Sequence, residues 1–182
     1  MNMPSGAPRV PGFTLVETLA TILIVAVLAG VSAPVISAAS RNYADGASRA
    51  EIAAGIDAAM ERIVSELRAI PLQAGATTAK PDISSITASS VTWSANSSID
   101  LSGGTLRLTL AGGSPRTLLT GVSDFSIRAY DASGTALTTP LSGAGCDAVQ
   151  RLEVTVTGLR HGVSETHRTR VFLRNLAAGA SP

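Results

Sequence analysis

The chain has 182 residues and a formal net charge of +1, with its basic residues scattered and its aromatic residues few. That balance gives no electrostatic case for nucleic acid, and no aromatic platform for single strands is visible. A single cysteine, Cys146, excludes an internal disulfide, so the folded domain must be held by its core alone.

Taken in chain order, residues 1–12 read as a short polar leader, unstructured because of its prolines and glycine. From Thr18 to Ser40 no charged side chain occurs. A hydrocarbon core of about 30 Å needs about 20 apolar residues in a helix, so residues 13–34 are long enough to cross a bilayer. Pro34 inside such a helix removes one backbone bond and predicts a kink. Residues 35–71 change character. Ile52, Ile56, Met60, Ile63, Leu67 and Ile70 recur at spacings of four and three, which predicts an amphipathic helix half ended by Pro71. Residues 72–176 are predicted to form a β-rich domain, and residues 177–182 a frayed tail. Within that domain, Leu72 to about Ser90 reads as a surface connection rich in Ala, Thr, Ser and Gly. Strand patterns follow at 91–93, 105–110, 118–119, 122–130, 152–157 and 166–173, with glycine pairs and the stretch Gly158 to Gly162 as turns. Such alternation predicts an antiparallel sheet with one wet and one buried face. The stripe from Ile52 to Ile70 is the natural cover, giving an α+β fold with a long N-terminal helix packed on the sheet. Leu152, Val154, Val156, Val171 and Leu173 are expected to share the inner side of a final hairpin.

Glu17 is the residue whose position asks for a function. It lies at the mouth of the apolar run, shortly after Pro11-Gly12-Phe13-Thr14-Leu15-Val16. An acid so close to lipid is costly unless something pairs with it. A plain secretory signal has no need of it, although Ser32-Ala33 and Ser37-Ala38-Ala39 mimic a cleavage region. Gly12-Phe13-Thr14-Leu15-Val16-Glu17 before an apolar run resembles the class III signal of type IV pilins and type II secretion pseudopilins. The resemblance implies cleavage between Gly12 and Phe13 by a prepilin peptidase, and N-methylation of the new amino terminus on Phe13. It implies that the apolar helix stays as membrane anchor and later as filament core, with Pro34 where the family often carries a helix-bending proline. It also implies that Glu17 pairs with the Phe13 amino group of an adjacent subunit, an assembly contact that sets register. The bland alternative for Glu17 is a surface acid favoured by the helix dipole.

Other candidates carry less. His161 and His167 are six residues apart with a turn between, which fits no metal-ligand pattern, and no Cys or Glu cluster supports them. Cys146 reads as a small buried hydrophobe, with an intermolecular bridge as the alternative. Asp131-Ala132-Ser133-Gly134 lacks the alternating acids of a calcium loop and reads as a strand-connecting turn. Because some pseudopilins hold calcium in irregular loops, Asp124, Asp131 and Asp147 stay open as ligands. Gly143-Ala144-Gly145 is no phosphate cradle.

Glu61-Arg62-Ile63-Val64-Ser65-Glu66-Leu67-Arg68 resembles the corresponding helix half of J-type minor pseudopilins and W-type minor pilins. The sequence reading is a minor pilin-like subunit of a type II secretion or type IV pilus filament, in a priming or tip complex. No catalytic residue, metal ligand or cofactor is assigned. Expected partners are other pilin or pseudopilin subunits, the prepilin peptidase, the inner-membrane assembly platform and membrane lipid, with no nucleic acid. The expected location is the bacterial inner membrane, single-pass, with the C-terminal domain outside the cytoplasm, and then the filament. The alternatives are a membrane-anchored envelope binding module and a membrane-tethered hydrolase.

Overall fold

In the computed structural model, residues 12, 14–76, 78–94 and 96–173 are described, and the chain divides into two compact units, Met1–Asp45 and Gly46–Pro182. Helix α1, Leu15–Arg68, contributes residues to both. Its start is set locally. Thr14 Oγ1 accepts a hydrogen bond from the Glu17 backbone N–H at 3.3 Å, and Thr14 O accepts one from the Thr18 N–H at 3.1 Å. Thr14 is thus an N-cap, satisfying one of the donors that a helix start leaves unpaired.

In the first unit every described residue is exposed, including Leu19, Ile22, Leu23, Val27 and Leu28. By length and composition this part of α1 is able to cross a membrane. A contiguous apolar surface of this size is not sustained in water. Pro34 lies inside α1, and the helix continues on both sides of it.

In the second unit the predicted stripe is buried: Ile52, Ile56, Met60, Ile63 and Leu67 in α1, and Ile70 beyond its end. Among the described residues ten strands follow, named in chain order as β1 (Ile83–Ile86), β2 (Ser90–Trp93), β3 (Ser97–Ser102), β4 (Thr105–Thr109), β5 (Arg116–Thr120), β6 (Val122–Tyr130), β7 (Ala136–Leu137), β8 (Leu141–Ser142), β9 (Arg151–Arg160) and β10 (Val163–Phe172). A 3-10 turn, Gly143–Cys146, sits between β8 and β9. The strands build two antiparallel sheets, ordered β5-β4-β3-β2-β1-β8 and β10-β9-β6-β7. Their inner residues join those of α1 in one hydrophobic core. The sheets are stitched by backbone bonds from Val122 N to Gly104 O at 3.0 Å and from Ile127 N to Ala88 O at 2.9 Å.

Hairpin chemistry fixes the long registers. Gly103 and Gly104, at φ +56° and +71°, form the two-residue turn between β3 and β4. His161 and Gly162, at +49° and +80°, do the same between β9 and β10. Two successive positive φ values are what a type I′ turn requires.

The α+β class and the helix-on-sheet packing match the sequence reading, and so does the last hairpin, with Leu152, Val154, Val156, Val171 and Leu173 all buried. Three points differ. The strands form two sheets rather than one. The stretch read as a surface connection contains β1, whose buried Ile83 and Ile86 are three apart because its pairing with β2 shifts register between Ile83 and Ser85. That irregularity breaks the two-residue alternation by which a strand is read. Gly158, read as the opening of a turn, lies within β9.

Candidate functional site

The candidate site is the entry to α1. Gly12 is exposed, and a Cβ built on it meets no atom of the described residues within 4 Å. Phe13 and the leader residues before Gly12 lie outside the described residues. Glu17 sits in the first turn of α1, exposed, with its backbone N–H held by Thr14. Its carbonyl accepts the Thr21 hydroxyl at 2.8 Å, and the Thr18 hydroxyl bonds Thr14 O at 2.9 Å. Among the described residues no cation pairs with the Glu17 carboxylate. Backbone and hydroxyl bonds therefore fix where Glu17 stands on the helix, while its charged group is presented outward. The pairing of Thr14 with Glu17 is half of a capping box. It was legible as Thr-x-x-Glu directly before the apolar run, and the reading of Glu17 alone passed it over.

Residues 8–33 match the family model described as the prokaryotic N-terminal methylation motif. The matched stretch contains Gly12, Phe13 and Glu17 and runs into the apolar part of α1. It supports a type IV pilin-like or pseudopilin subunit, which is a structural role rather than a catalytic one. It implies processing by a prepilin peptidase and association with other pilin subunits, and the apolar helix beside it fits a membrane anchor. No curated protein matches the chain.

The remaining sequence candidates are dispersed over the second unit. Cys146 is fully buried and unpaired with another cysteine. Burial, then the neighbouring Asp147 charge, pushes its thiol pKa up, the opposite of what a nucleophile needs. Asp147 binds Lys80 at 2.6 Å and accepts from Gln73 Nε2 at 3.1 Å. Asp131 accepts from the Ser133 hydroxyl at 2.7 Å and the Thr135 N–H at 2.8 Å, the bonds of a self-closed turn. His161 occupies the β9–β10 turn, and His167 Nδ1 lies 2.8 Å from Asp57 Oδ1 on α1. Among the described residues, Asp124, Asp131 and Asp147 belong to no group of three or more His, Cys, Asp or Glu side chains that could hold a metal ion.

One constellation was missed. Glu153 points away from the core yet is only 2% exposed, because Arg168 and Arg170 fold over it at 2.5 and 2.6 Å. Burial opposes its ionisation, but the hydrogen bonds and charges of the two arginines outweigh that and hold its pKa below the ordinary value. Arg128 is opposite Glu153 on β6. Arg151 stacks on Phe172 at 4.7 Å and Arg170 on Tyr130 at 4.9 Å. Basic residues that look scattered in sequence converge here because alternate positions of β6, β9 and β10 share one face.

Proposed function

We propose that the chain is a minor pilin-like, or pseudopilin, subunit of a type II secretion or type IV pilus filament, working in its priming or tip complex. The observation that carries this reading is the methylation motif running directly into an apolar helix whose residues from Leu15 to Asp45 are all exposed. Lipid covers that surface before assembly, and neighbouring subunits cover it afterwards. Cleavage after Gly12 creates the Phe13 amine, its methylation keeps the amine basic, and Glu17 of an adjacent subunit pairs with it. Pro34 lets the helix bend as it enters the filament. The protein is held single-pass in the inner membrane, with the β-rich domain outside the cytoplasm, and the assembly platform takes it up from there. A minor rather than a major subunit is favoured by the ten-stranded domain and by Cys146, which as the sole cysteine closes no C-terminal disulfide loop.

Intact-mass analysis of protein extracted from membranes tests the reading. The expected mature chain begins at Phe13 and carries one extra methyl group. A mature start after Ala33 or Ala39 would overturn it in favour of a secretory signal.

A further inference from the structure

Sheet edges expose unpaired backbone groups, and folded proteins usually blunt them with short strands, bulges, proline or charge. Three of the four sheet edges here are blunted. β7 and β8 have two residues each. β5 follows Pro115, and its pairing with β4 shifts register between Leu106 and Arg107. The fourth edge, β10, pairs with β9 over ten consecutive residues without a shift and contains no proline.

The ladder fixes which backbone groups of β10 are open. Leu173 N donates to Gln150 O, and Leu159 N donates to Gly121 O on the β6 side. Bonded and non-bonded pairs alternate in an antiparallel ladder. The even-numbered residues of β9 therefore bond β10, and Ser164, Thr166, Arg168, Arg170 and Phe172 turn their N–H and C=O groups away from β9. These same residues carry the exposed side chains of the strand. Arg168 and Arg170 are the charges that would ordinarily guard such an edge, but both are drawn back onto Glu153 over the sheet face. Among the described residues no strand pairs with this edge.

The face beside this edge is patterned. One cross-strand row reads Arg128, Glu153, Arg170 across β6, β9 and β10, a second ends on Arg168, and a third runs Tyr130, Arg151, Phe172. One carboxylate serves two arginines, and among the described residues Arg128 has no ion pair at all. The next position in the first two rows lies beyond β10 and favours an acid. The next position in the third favours an apolar or aromatic group against Phe172, which is 60% exposed. On the inner side of the edge a groove of about 510 Å³ runs between β10 and α1, lined by Met60, Val64, Ala69 and Thr169 among others. Glu61 and Arg68 line it as well, one charge of each sign, so the groove itself carries no preference for an acid.

We propose that the open edge of β10 is a docking edge for an extended acidic segment of another protein, which adds as a fifth strand and sets carboxylates opposite Arg168 and Arg170. Opposite charges facing each other across strands stabilise a pairing, and strand addition supplies the backbone bonds. This goes beyond filament assembly through α1 and does not depend on the processing of Phe13.

The test is residue-resolved amide hydrogen exchange on the full chain in detergent micelles. The probe is a blocked peptide with Glu, Glu and Phe at successive alternate positions and Ala or Val between them; the control carries Lys for Glu. Peptide at ten times its Kd should slow exchange about tenfold at Ser164, Thr166, Arg168, Arg170 and Phe172, and leave the intervening amides, already bonded to β9, unchanged. The lysine peptide should not. Arg168→Gln should weaken the acidic peptide roughly two- to fivefold, the scale of one cross-strand charge pair. Thr166→Pro, which removes an outward N–H together with the side-chain hydrogen bond to the Thr157 hydroxyl, should abolish the protection while leaving the arginines in place; Thr166→Ala, which loses only the hydroxyl, should keep it. Absence of alternate-residue slowing at millimolar acidic peptide overturns the proposal. So does equal protection by the lysine peptide. Concentration-dependent protection of the same amides without peptide would assign the edge to a second copy of this chain. Preferential binding of an oligothymidylate without amide protection would assign the arginine face to nucleic acid. Either result also overturns it.

Discussion

A Cβ placed on Gly158 would lie 2.8 Å from Ile52 Cγ2 and 3.2 Å from Ile56 Cδ1. α1 thus packs on β9 here through a missing side chain. Ile56 is fully buried and Ile52 nearly so, and both are branched close to the backbone, so neither swings aside cheaply. Gly158→Ala is expected to destabilise the second unit by about 1–3 kcal/mol through overpacking. Chemical denaturation of the full chain in detergent, followed through the Trp93 fluorescence, checks it. An unchanged midpoint would mean that the helix stands further off the sheet than this contact places it.

The helix stripe makes a second, sharper comparison. Leu67 is fully buried, whereas its neighbour Arg68 is exposed at the groove beside β10. Leu67→Ala should cost ~2–5 kcal/mol through lost transfer energy and a residual cavity. Arg68→Ala, away from the core, should stay within about 0.5 kcal/mol. Thermal unfolding of the two variants side by side measures the difference. Equal and small effects would mean that the stripe faces other subunits instead of the core.

Glu153 gives the domain a pH dependence of known sign. Its folded pKa is depressed below the ordinary 4.5. Its ionised form is therefore favoured in the folded state, and the unfolded chain takes up the proton first on acidification. The contribution to stability is fully present above about pH 4.5 and is lost as pH falls through the folded pKa. Glu153→Gln cannot ionise. The stability gap between wild type and this variant should be widest near neutral pH and close as the solution is acidified below pH 4.5. Denaturation midpoints of both proteins across the acid range check it. A gap independent of pH would show that the carboxylate acts by shape alone.

Where the sequence was readable, one physical signal stood alone. The stripe Ile52 to Ile70 has a helical period and no competing one, and every one of its residues is buried. The inward leucine and valines of β9 alternate without a break. Where it was not readable, two signals overlapped. The bulge in β1 put Ile83 and Ile86 out of phase with a strand. In β3 one of the core-facing positions beside Ile99 is held by Ser97, whose hydroxyl accepts the Ala111 N–H at 3.0 Å, so a buried residue looked like loop. Gly158 carries the marks of a turn and is instead a packing glycine. The arginine face around Glu153 depends on which strands are neighbours, and no local pattern encodes that. The entry to α1 was legible for the opposite reason: its residues are consecutive, so their order alone holds the motif.

Glu17 allows the proposed assembly role to be separated from folding. It stands in the first turn of α1, exposed, outside the core of the second unit. Glu17→Ala should therefore leave the folded domain intact. It makes the anchor more apolar, so membrane insertion should not suffer, and cleavage after Gly12 should persist. The backbone bond to Thr14 does not need the carboxylate and should survive as well. Assembly should suffer, because the Phe13 amine of the adjoining subunit would then enter an apolar filament core unpaired. Leaving one partner of a buried ion pair alone costs on the order of 3–5 kcal/mol, more than the intact pair gains. With a factor of ten in affinity for each ~1.4 kcal/mol, recruitment should fall about a hundredfold or more. Thr14→Ala supplies the control, since it removes the cap at a cost of about 1 kcal/mol and leaves the charge. The measurement is co-purification of each variant with partner subunits at matched membrane levels. Loss with Glu17→Ala and retention with Thr14→Ala assigns the effect to the carboxylate. Undiminished co-purification of Glu17→Ala would remove it from the assembly contact and leave it as a residue of the helix start.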